Sequence, residues 1–326
     1  MGFKRVVKRS FEELKATLII AKVTSIKKAL ITFKGKILIQ KMAKNNLVEK
    51  PKYKKILVKK HDVMNEYFDK TFKEYLENYK VTKDIEEGNK EYSNNIWICW
   101  FQGIEDAPEI VKTCVNSIKN NSGVHNVVIL TDDNYRNYVD IPDIIEKRRK
   151  EGIISRTAFS DILRMCLLAK HGGMWLDSTF FAIGDLGEYF KLPIWSIKRP
   201  NYLHCSVASG YFAGYSLYCD YEHRYVFKVI SDFLCNYWIK NDILIDYLVV
   251  DYCVSLALRH YKEIKLLFDN IPSNNPLCDE LCKVLNDKFD QEKYNELIKD
   301  TILFKLTWKA NFNRDGTFYE YIVNKQ

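Results

Sequence analysis

Glycine and proline are scarce in this chain, 13 and 7 among 326 residues, while its 18 Phe, 21 Tyr and 6 Trp are spread along the whole length. That composition excludes a long disordered or low-complexity protein and leaves enough apolar material for a sizeable core. No apolar run approaches the roughly 18 residues that a membrane-spanning helix needs. A secretory signal is not expected either, because the apolar stretch Ala16–Ala21 is cut short by Lys22. Cysteine is present but odd in number: Cys99, Cys114, Cys166, Cys205, Cys219, Cys235, Cys253, Cys278 and Cys282 lie mostly inside apolar runs. They read as small, reduced core residues rather than a disulfide framework. Cys278 and Cys282 are one helical turn apart, but no second Cys/His pair at zinc spacing accompanies them.

Acidic residues are almost missing from the first sixty positions, where 18 Lys and Arg face only Glu12, Glu13 and Glu49. That balance of +15 exceeds the formal +8 of the whole chain and leaves −7 for the remaining 266 residues. The basic character therefore belongs to an N-terminal extension. Within it Ile19, Val23, Ile26, Leu30, Phe33 and Ile37 recur in steps of four and three. The spacing predicts one apolar stripe on a helix, with Lys22, Lys27, Lys28, Lys34 and Lys36 mostly off it. Such a helix suits an anionic membrane surface, or else packs its stripe on the protein body. Nucleic acid is not the expected partner, since no aromatic interleaving or binding signature accompanies the lysines.

A second helical stripe follows at Met64, Phe68, Phe72, Leu76 and Tyr79, and the polar stretch "IEEGNKEYSNN" (85–95) marks a boundary. The expected division is a basic helical extension over 1–92 and one domain over 93–326. From residue 96 the pattern alternates: strand "NIWICW", helix 107–120, strand "NVVIL" (126–130), helix 156–170 ended by two glycines, and strand 174–181. "LPIWSIKR" (192–199) is strand-like, and helical stretches follow near 220–240, 244–261 and 277–299. This predicts an α/β fold with a mixed, largely parallel sheet flanked by helices and a helix-rich C-terminal half. Ligands in such folds sit beyond the C-terminal strand ends, where Trp100, Asp132 and Asp177 fall.

Three clusters could carry chemistry. In "SRTAFSDILRMCLLAKHGG", Asp161 and Arg164 lie three apart on a helix that is apolar on nearly every side. A buried pair of this kind gains little net stability, because desolvation largely cancels attraction, so it is either a structural ion pair or a site. Asp177, Ser178 and Thr179 put one carboxylate and two hydroxyls at a strand end. Such oxygens suit a hard cation or sugar hydroxyls, or simply bond to loop N–H groups. Trp97 and Trp100, with Gln102 and Gly103, close the first strand, where an aromatic can stack on a nucleobase or merely pack.

The combination of "IWICWFQG", "SDILR" and "GGMWLDST" resembles bacterial capsular polysaccharide synthesis glycosyltransferases. These look related to retaining GT-A sugar transferases of the D-x-D type, the group that includes yeast mannosyltransferases and the glucosylating clostridial toxins. The likeness covers residues 94–185 well and the rest loosely. It implies a GT-A, Rossmann-like domain with a nucleotide-sugar half over 93–200 and an acceptor-side half over 201–326. It implies that Trp100 stacks on the base, with Trp97, Gln102 and Gly173 nearby and Trp308 in a C-terminal segment, "FKLTWK", closing over the donor. Asp161 and Arg164 would hold the sugar and phosphate side, and Asp177 would begin the metal-binding motif. This chain has D-x-T, so Thr179 stands where a second carboxylate is expected, a poorer ligand for Mn²⁺ or Mg²⁺. Asp246 and Asp251 are acceptor-side candidates. The expected activity is transfer of a hexose from a nucleotide-diphosphate sugar, UDP being the expected nucleotide, to a lipid-linked surface-polysaccharide intermediate, with retention. The expected place is the cytoplasm, peripheral on the inner face of the plasma membrane. The alternatives are a sugar-phosphate transferase with a similar donor site and a non-catalytic membrane-docked binding protein.

Overall fold

The computed structural model describes residues 3–45, 50–199 and 206–324. Cys205 lies outside them, and the other eight cysteines carry free thiols. Three long helices lead the chain, α1 (Phe3–Val23), α2 (Ile26–Asn45) and α3 (Pro51–Thr71), followed by the short α4 (Lys73–Asn78). The stripe expected on one helix is therefore divided between two. At the break the Thr24 hydroxyl donates back to the Ile20 carbonyl at 2.7 Å, and the Ser25 hydroxyl accepts from the Lys28 amide at 3.3 Å. Side-chain oxygens thus serve the orphan backbone groups that end one helix and start the next.

Of the two partners left open for the stripe, the body takes Ile19 and Val23, which pack partly buried against the core, but not most of the α2 part. Along α2 the buried residues are Ala29, Thr32, Gly35, Lys36 and Met42, whereas Ile26, Leu30 and Ile37 are exposed. α3 passes closest at Gly35, where a Cβ would sit 2.6 Å from the Lys60 Cβ, so no side chain fits at that point. Lys36, expected on the outside, is buried and donates to the Ile245 carbonyl at 2.6 Å and to Glu13 at 2.9 Å.

The α/β body begins with β1 (Asn95–Cys99), α5 (Glu109–Asn120), β2 (Asn126–Leu130), α6 (Asp143–Lys150) and α7 (Arg156–His171). It continues through β3 (Gly173–Leu176), β4 (Phe180–Ala182), β5 (Ile194–Ser196), β6 (Ser216–Cys219), α8 (Arg224–Lys240), α9 (Val249–His260) and α10 (Lys262–Asp269). The chain closes with α11 (Glu280–Val284), α12 (Gln291–Ile298), β7 (Leu303–Lys305) and α13 (Phe318–Asn324). The five-stranded sheet has the order β2-β1-β3-β6-β5. β1 runs parallel to β2 and β3, and β6 is antiparallel to both β3 and β5, so only β6 opposes the common direction. The mixed, largely parallel α/β sheet expected from the alternation is present. The run 174–181 is not one strand, however: it breaks after Leu176, and β4 pairs antiparallel with β7 in a separate two-stranded sheet. Likewise the helical stretch at 277–299 resolves into α11 and α12.

Helix α7 is built for its position. The Ser155 side chain caps it by accepting from the Ala158 amide, and at the other end the Gly172 amide returns to the Leu168 carbonyl at 3.0 Å. Gly172 and Gly173 have φ of +74° and +88°, a region that side chains with a Cβ rarely adopt. They turn the chain from α7 straight into β3, so both elements end and begin at one edge of the sheet. One continuous core joins this body to the leading helices: Ala16, Ile20, Met64, Phe68 and Phe72 pack into the same buried cluster as Trp97, Trp175 and Phe233. The boundary expected at residue 92 thus separates elements that share a core.

Candidate active site

The C-terminal ends of β1, β2 and β3 point to the same edge, and chemistry-bearing side chains collect there. β3 leads into a tight turn, with the Asp177 amide donating to the Tyr215 carbonyl at 3.1 Å and the Phe180 amide to the Asp177 carbonyl at 3.0 Å. This turn presents Asp177 and Thr179. The Asp177 Oδ1 accepts from the Trp175 indole at 3.1 Å, since residues 175 and 177 share a face of the strand. Its Oδ2 accepts from the Lys305 ammonium at 3.0 Å, and the same ammonium donates to the Thr179 hydroxyl at 2.6 Å. Lys305 is aimed by pairing: it lies opposite Phe180 in the β4–β7 ladder, and the Leu306 amide donates to the Thr179 carbonyl at 2.9 Å.

Arg164 enters from α7 and is only 5% exposed. It pairs with Asp161 one helical turn back, and its guanidinium lies 5.2 Å from the centre of the Trp175 ring. Its Nε is buried with no hydrogen-bond partner among the described residues. Asp251, in the first turn of α9, closes the other side: a Cβ placed on Gly214 would be 3.1 Å from the Asp251 Oδ1 and 3.7 Å from an Arg164 amino nitrogen. Gly214 therefore leaves open the space between them. Asp161 also lines a small cleft with Thr157, Trp238, Tyr247 and Val250.

The electrostatics of these carboxyls divide. Burial pushes Asp161 up to about 7; Arg164 opposes the shift, while the charges of Asp251 and Asp177 add to it. Burial also raises Asp251, to about 6, against the pull of Arg164 and Lys60. For Asp177 burial pushes in the same direction, but Lys305 and Arg164 outweigh it and hold the carboxyl below its ordinary value. Near neutral pH the edge thus carries a firmly ionised Asp177 and two carboxyls poised to exchange protons.

Trp100 sits just past β1, partly exposed, in edge-to-face contact with Trp308 at 5.7 Å between ring centres. Trp308 is 44% exposed and follows Lys305 by three residues, just past the end of β7. Gln102 is exposed in the loop that follows, where the Gly103 amide closes a turn on the Trp100 carbonyl at 3.0 Å. Asp132, at the end of β2, is held by Arg149.

Three of the expected site residues lie elsewhere. Trp97 is fully buried in mid-strand, donates its indole N–H to the Gly172 carbonyl at 2.9 Å and packs against Tyr92 and Tyr138. Gly173 is at the opposite end of β3 from Asp177, where a Cβ would meet the Asn95 carbonyl at 2.7 Å; its role is the turn. Asp246 is 3% exposed and tied to Lys60 of α3 at 2.8 Å, an ion pair inside the molecule rather than an acceptor contact. Two residues at this edge escape a reading of the sequence. Gly214 and Tyr215 precede β6, a four-residue strand with too little periodicity to show itself, and only its pairing with β3 brings them here.

Asp177 and Thr179 were the residues expected to hold a divalent cation. They do not make a fitting donor set: one carboxylate and one neutral hydroxyl converge on an ammonium, and among the described residues no group of three or more His, Cys, Asp or Glu side chains is placed to hold a metal. The sequence matches the family described as "Capsular polysaccharide synthesis protein" over residues 42–322. No curated protein and no solved structure matches the chain.

Proposed function

The chain belongs to the capsular polysaccharide synthesis family, and from that premise we propose that it is a glycosyltransferase of GT-A type. It moves a hexose from a nucleotide-diphosphate sugar, UDP being the favoured nucleotide, to a lipid-linked intermediate of a capsular polysaccharide, with retention at C1. The supporting observation is the convergence of Arg164 and Lys305 with Asp161, Asp177 and Asp251 at the C-terminal edge of a largely parallel sheet. Each part has work to do in such a transfer. The bond from sugar C1 to the donor's β-phosphate oxygen breaks, and its electron pair leaves with the nucleoside diphosphate. The acceptor oxygen bonds to C1, and its proton passes to the departing phosphate. Cations beside that phosphate stabilise the charge that develops on it. The sugar passes through an oxocarbenium-like state, to which Asp161 offers a nearby negative charge. A partly exposed tryptophan offers the base a stacking face.

The acceptor's location is part of the same reading. On α1 Phe11, Leu14 and Leu18, and on α2 Ile26 and Leu30, are each at least half exposed. Lys15, Lys22, Lys27, Lys34 and Lys41 are exposed on the same two helices. Large apolar side chains left outside beside a surplus of lysine match an anionic bilayer surface. No helix among the described residues is long and apolar enough to cross a membrane.

The test is to incubate the full chain with UDP-, GDP- and dTDP-hexoses and a lipid extract carrying the acceptor, and to identify the nucleotide released. Release of nucleoside diphosphate, lost in Arg164→Ala and Asp177→Ala, supports the reading. Release of monophosphate would make the protein a sugar-phosphate transferase, and absence of any nucleotide-sugar affinity would make it a binding protein.

A further inference from the structure

We propose that the Lys305 ammonium does the work of a divalent cation at this site, so that the protein binds a nucleoside diphosphate without metal. The inference rests on the donor-site reading above. Its ground is the company Lys305 keeps. Asp177 and Thr179 are the two positions expected to face a metal, and both instead hold one ammonium, at 3.0 and 2.6 Å. The other oxygen of Asp177 accepts from the Trp175 indole, so both of its oxygens already have donors of the protein's own.

The ammonium is held from three sides. The rings of Phe180 and Tyr215 lie 5.5 and 5.6 Å from the Lys305 nitrogen, within cation–π range. The lysine backbone is fixed by the β4–β7 ladder and by donation from its amide to the Cys278 carbonyl at 2.8 Å. A charge positioned this way needs no reorganisation when a phosphate arrives, which is the property a metal site supplies. An ammonium has three donors, and Asp177 and Thr179 take two. Among the described residues no partner takes the third, which leaves it for a phosphate oxygen, and the side chain remains 22% exposed. The substitution is also internally consistent. A carboxylate at position 179 would add a second negative charge and invite a dication, whereas a hydroxyl beside a single carboxylate balances one lysine.

The experiment is calorimetric titration of the full-length protein with UDP, GDP and dTDP, in EDTA and again in millimolar Mn²⁺ or Mg²⁺. The expected result is that whichever nucleotide binds does so with the same affinity, within about twofold, in EDTA and in metal. Lys305→Ala should weaken it at least tenfold in both buffers, and Lys305→Arg should recover part of the loss because the charge is kept. Circular dichroism of each variant separates lost binding from lost fold, and the wild-type comparison needs no variant. Binding by the wild type that is more than tenfold tighter with metal, or full affinity in folded Lys305→Ala, would overturn the proposal while leaving the donor site standing. No binding in any condition would overturn the donor-site reading, and this inference with it.

Discussion

Asp161 and Asp177 show how one arginine and one lysine assign different protonation to carboxyls that share a site. Asp177 touches Lys305 directly and stays ionised, whereas Asp161, paired with Arg164 but more deeply buried, is pushed up to about 7. A diphosphate is an anion, so it enters more readily when Asp161 and Asp251 are protonated. Nucleoside diphosphate affinity is therefore expected to fall severalfold between pH 6 and pH 8, and Asp161→Asn should flatten that profile. The same substitution should cut transfer roughly 100-fold or more, because the negative charge facing the sugar is gone while the phosphate cations remain. Stability depends on the same titration. The folded-state value of Asp161 lies above its unfolded value near 4, so the penalty is absent below pH 4 and grows until about pH 7. Asp161→Asn strands the buried Arg164 and should lower the melting temperature overall, but the variant should lack the fall in stability that the wild type shows between pH 4 and pH 7. A variant whose melting temperature and diphosphate affinity keep the wild-type pH dependence would show that Asp161 is not the titrating group.

At the scale of elements, what could be read in the sequence was what repeats or is bounded. β1, β2 and α7 are apolar runs closed by polar turns, a capping serine or paired glycines, and their ends fall within a few residues of expectation. β6 and β7 are four and three residues long, and nothing local marks them; they exist because β3 and β4 offer edges to pair with. That is why Lys305 could be suspected of closing over the site, but its contact with Asp177 could not be seen. Trp97 and Trp100 were indistinguishable by type, although an odd spacing on a strand already puts them on opposite faces. The stripe on α1 and α2 was found by its period and given two possible partners. Which side faces the protein was decided by Gly35 and Ala29, residues that carry no hydrophobic signal. Because the large side chains are outside, replacing them should leave the fold intact. Leu14→Gln, Leu18→Gln and Leu30→Gln together are expected to reduce co-sedimentation with phosphatidylglycerol vesicles at least tenfold, with melting temperature and diphosphate affinity unchanged. Undiminished vesicle binding would remove these helices as the membrane contact.

Across the whole molecule, the leading helices hold the segment that leads into the site. Lys36 of α2 donates to the Ile245 carbonyl, and Lys60 of α3 pairs with Asp246, next to the start of the helix that carries Asp251. Burial lowers Lys60 and would raise Asp246, but Lys60 and Lys36 hold the aspartate ionised. Lys60 also helps to hold Asp251 down, so a residue of the leading helices acts electrostatically on the candidate site. Removing one partner of a buried ion pair leaves the other charge stranded, at a cost of roughly 3–5 kcal/mol, whereas replacing both by apolar side chains is often neutral. Lys60→Met should therefore lower the melting temperature by several degrees, and the double variant Lys60→Met, Asp246→Leu should recover most of it. The pH profile gives a readout that a loss of packing would not move. With Lys60 gone and Asp246 still charged, Asp251 loses a cation and keeps an anion, so the fall in diphosphate affinity should shift to higher pH. In the double variant both influences are removed and the profile should return towards that of the wild type. A Lys60→Met protein that is less stable but keeps the wild-type profile would mean that the leading helices support the body mechanically, without reaching Asp251.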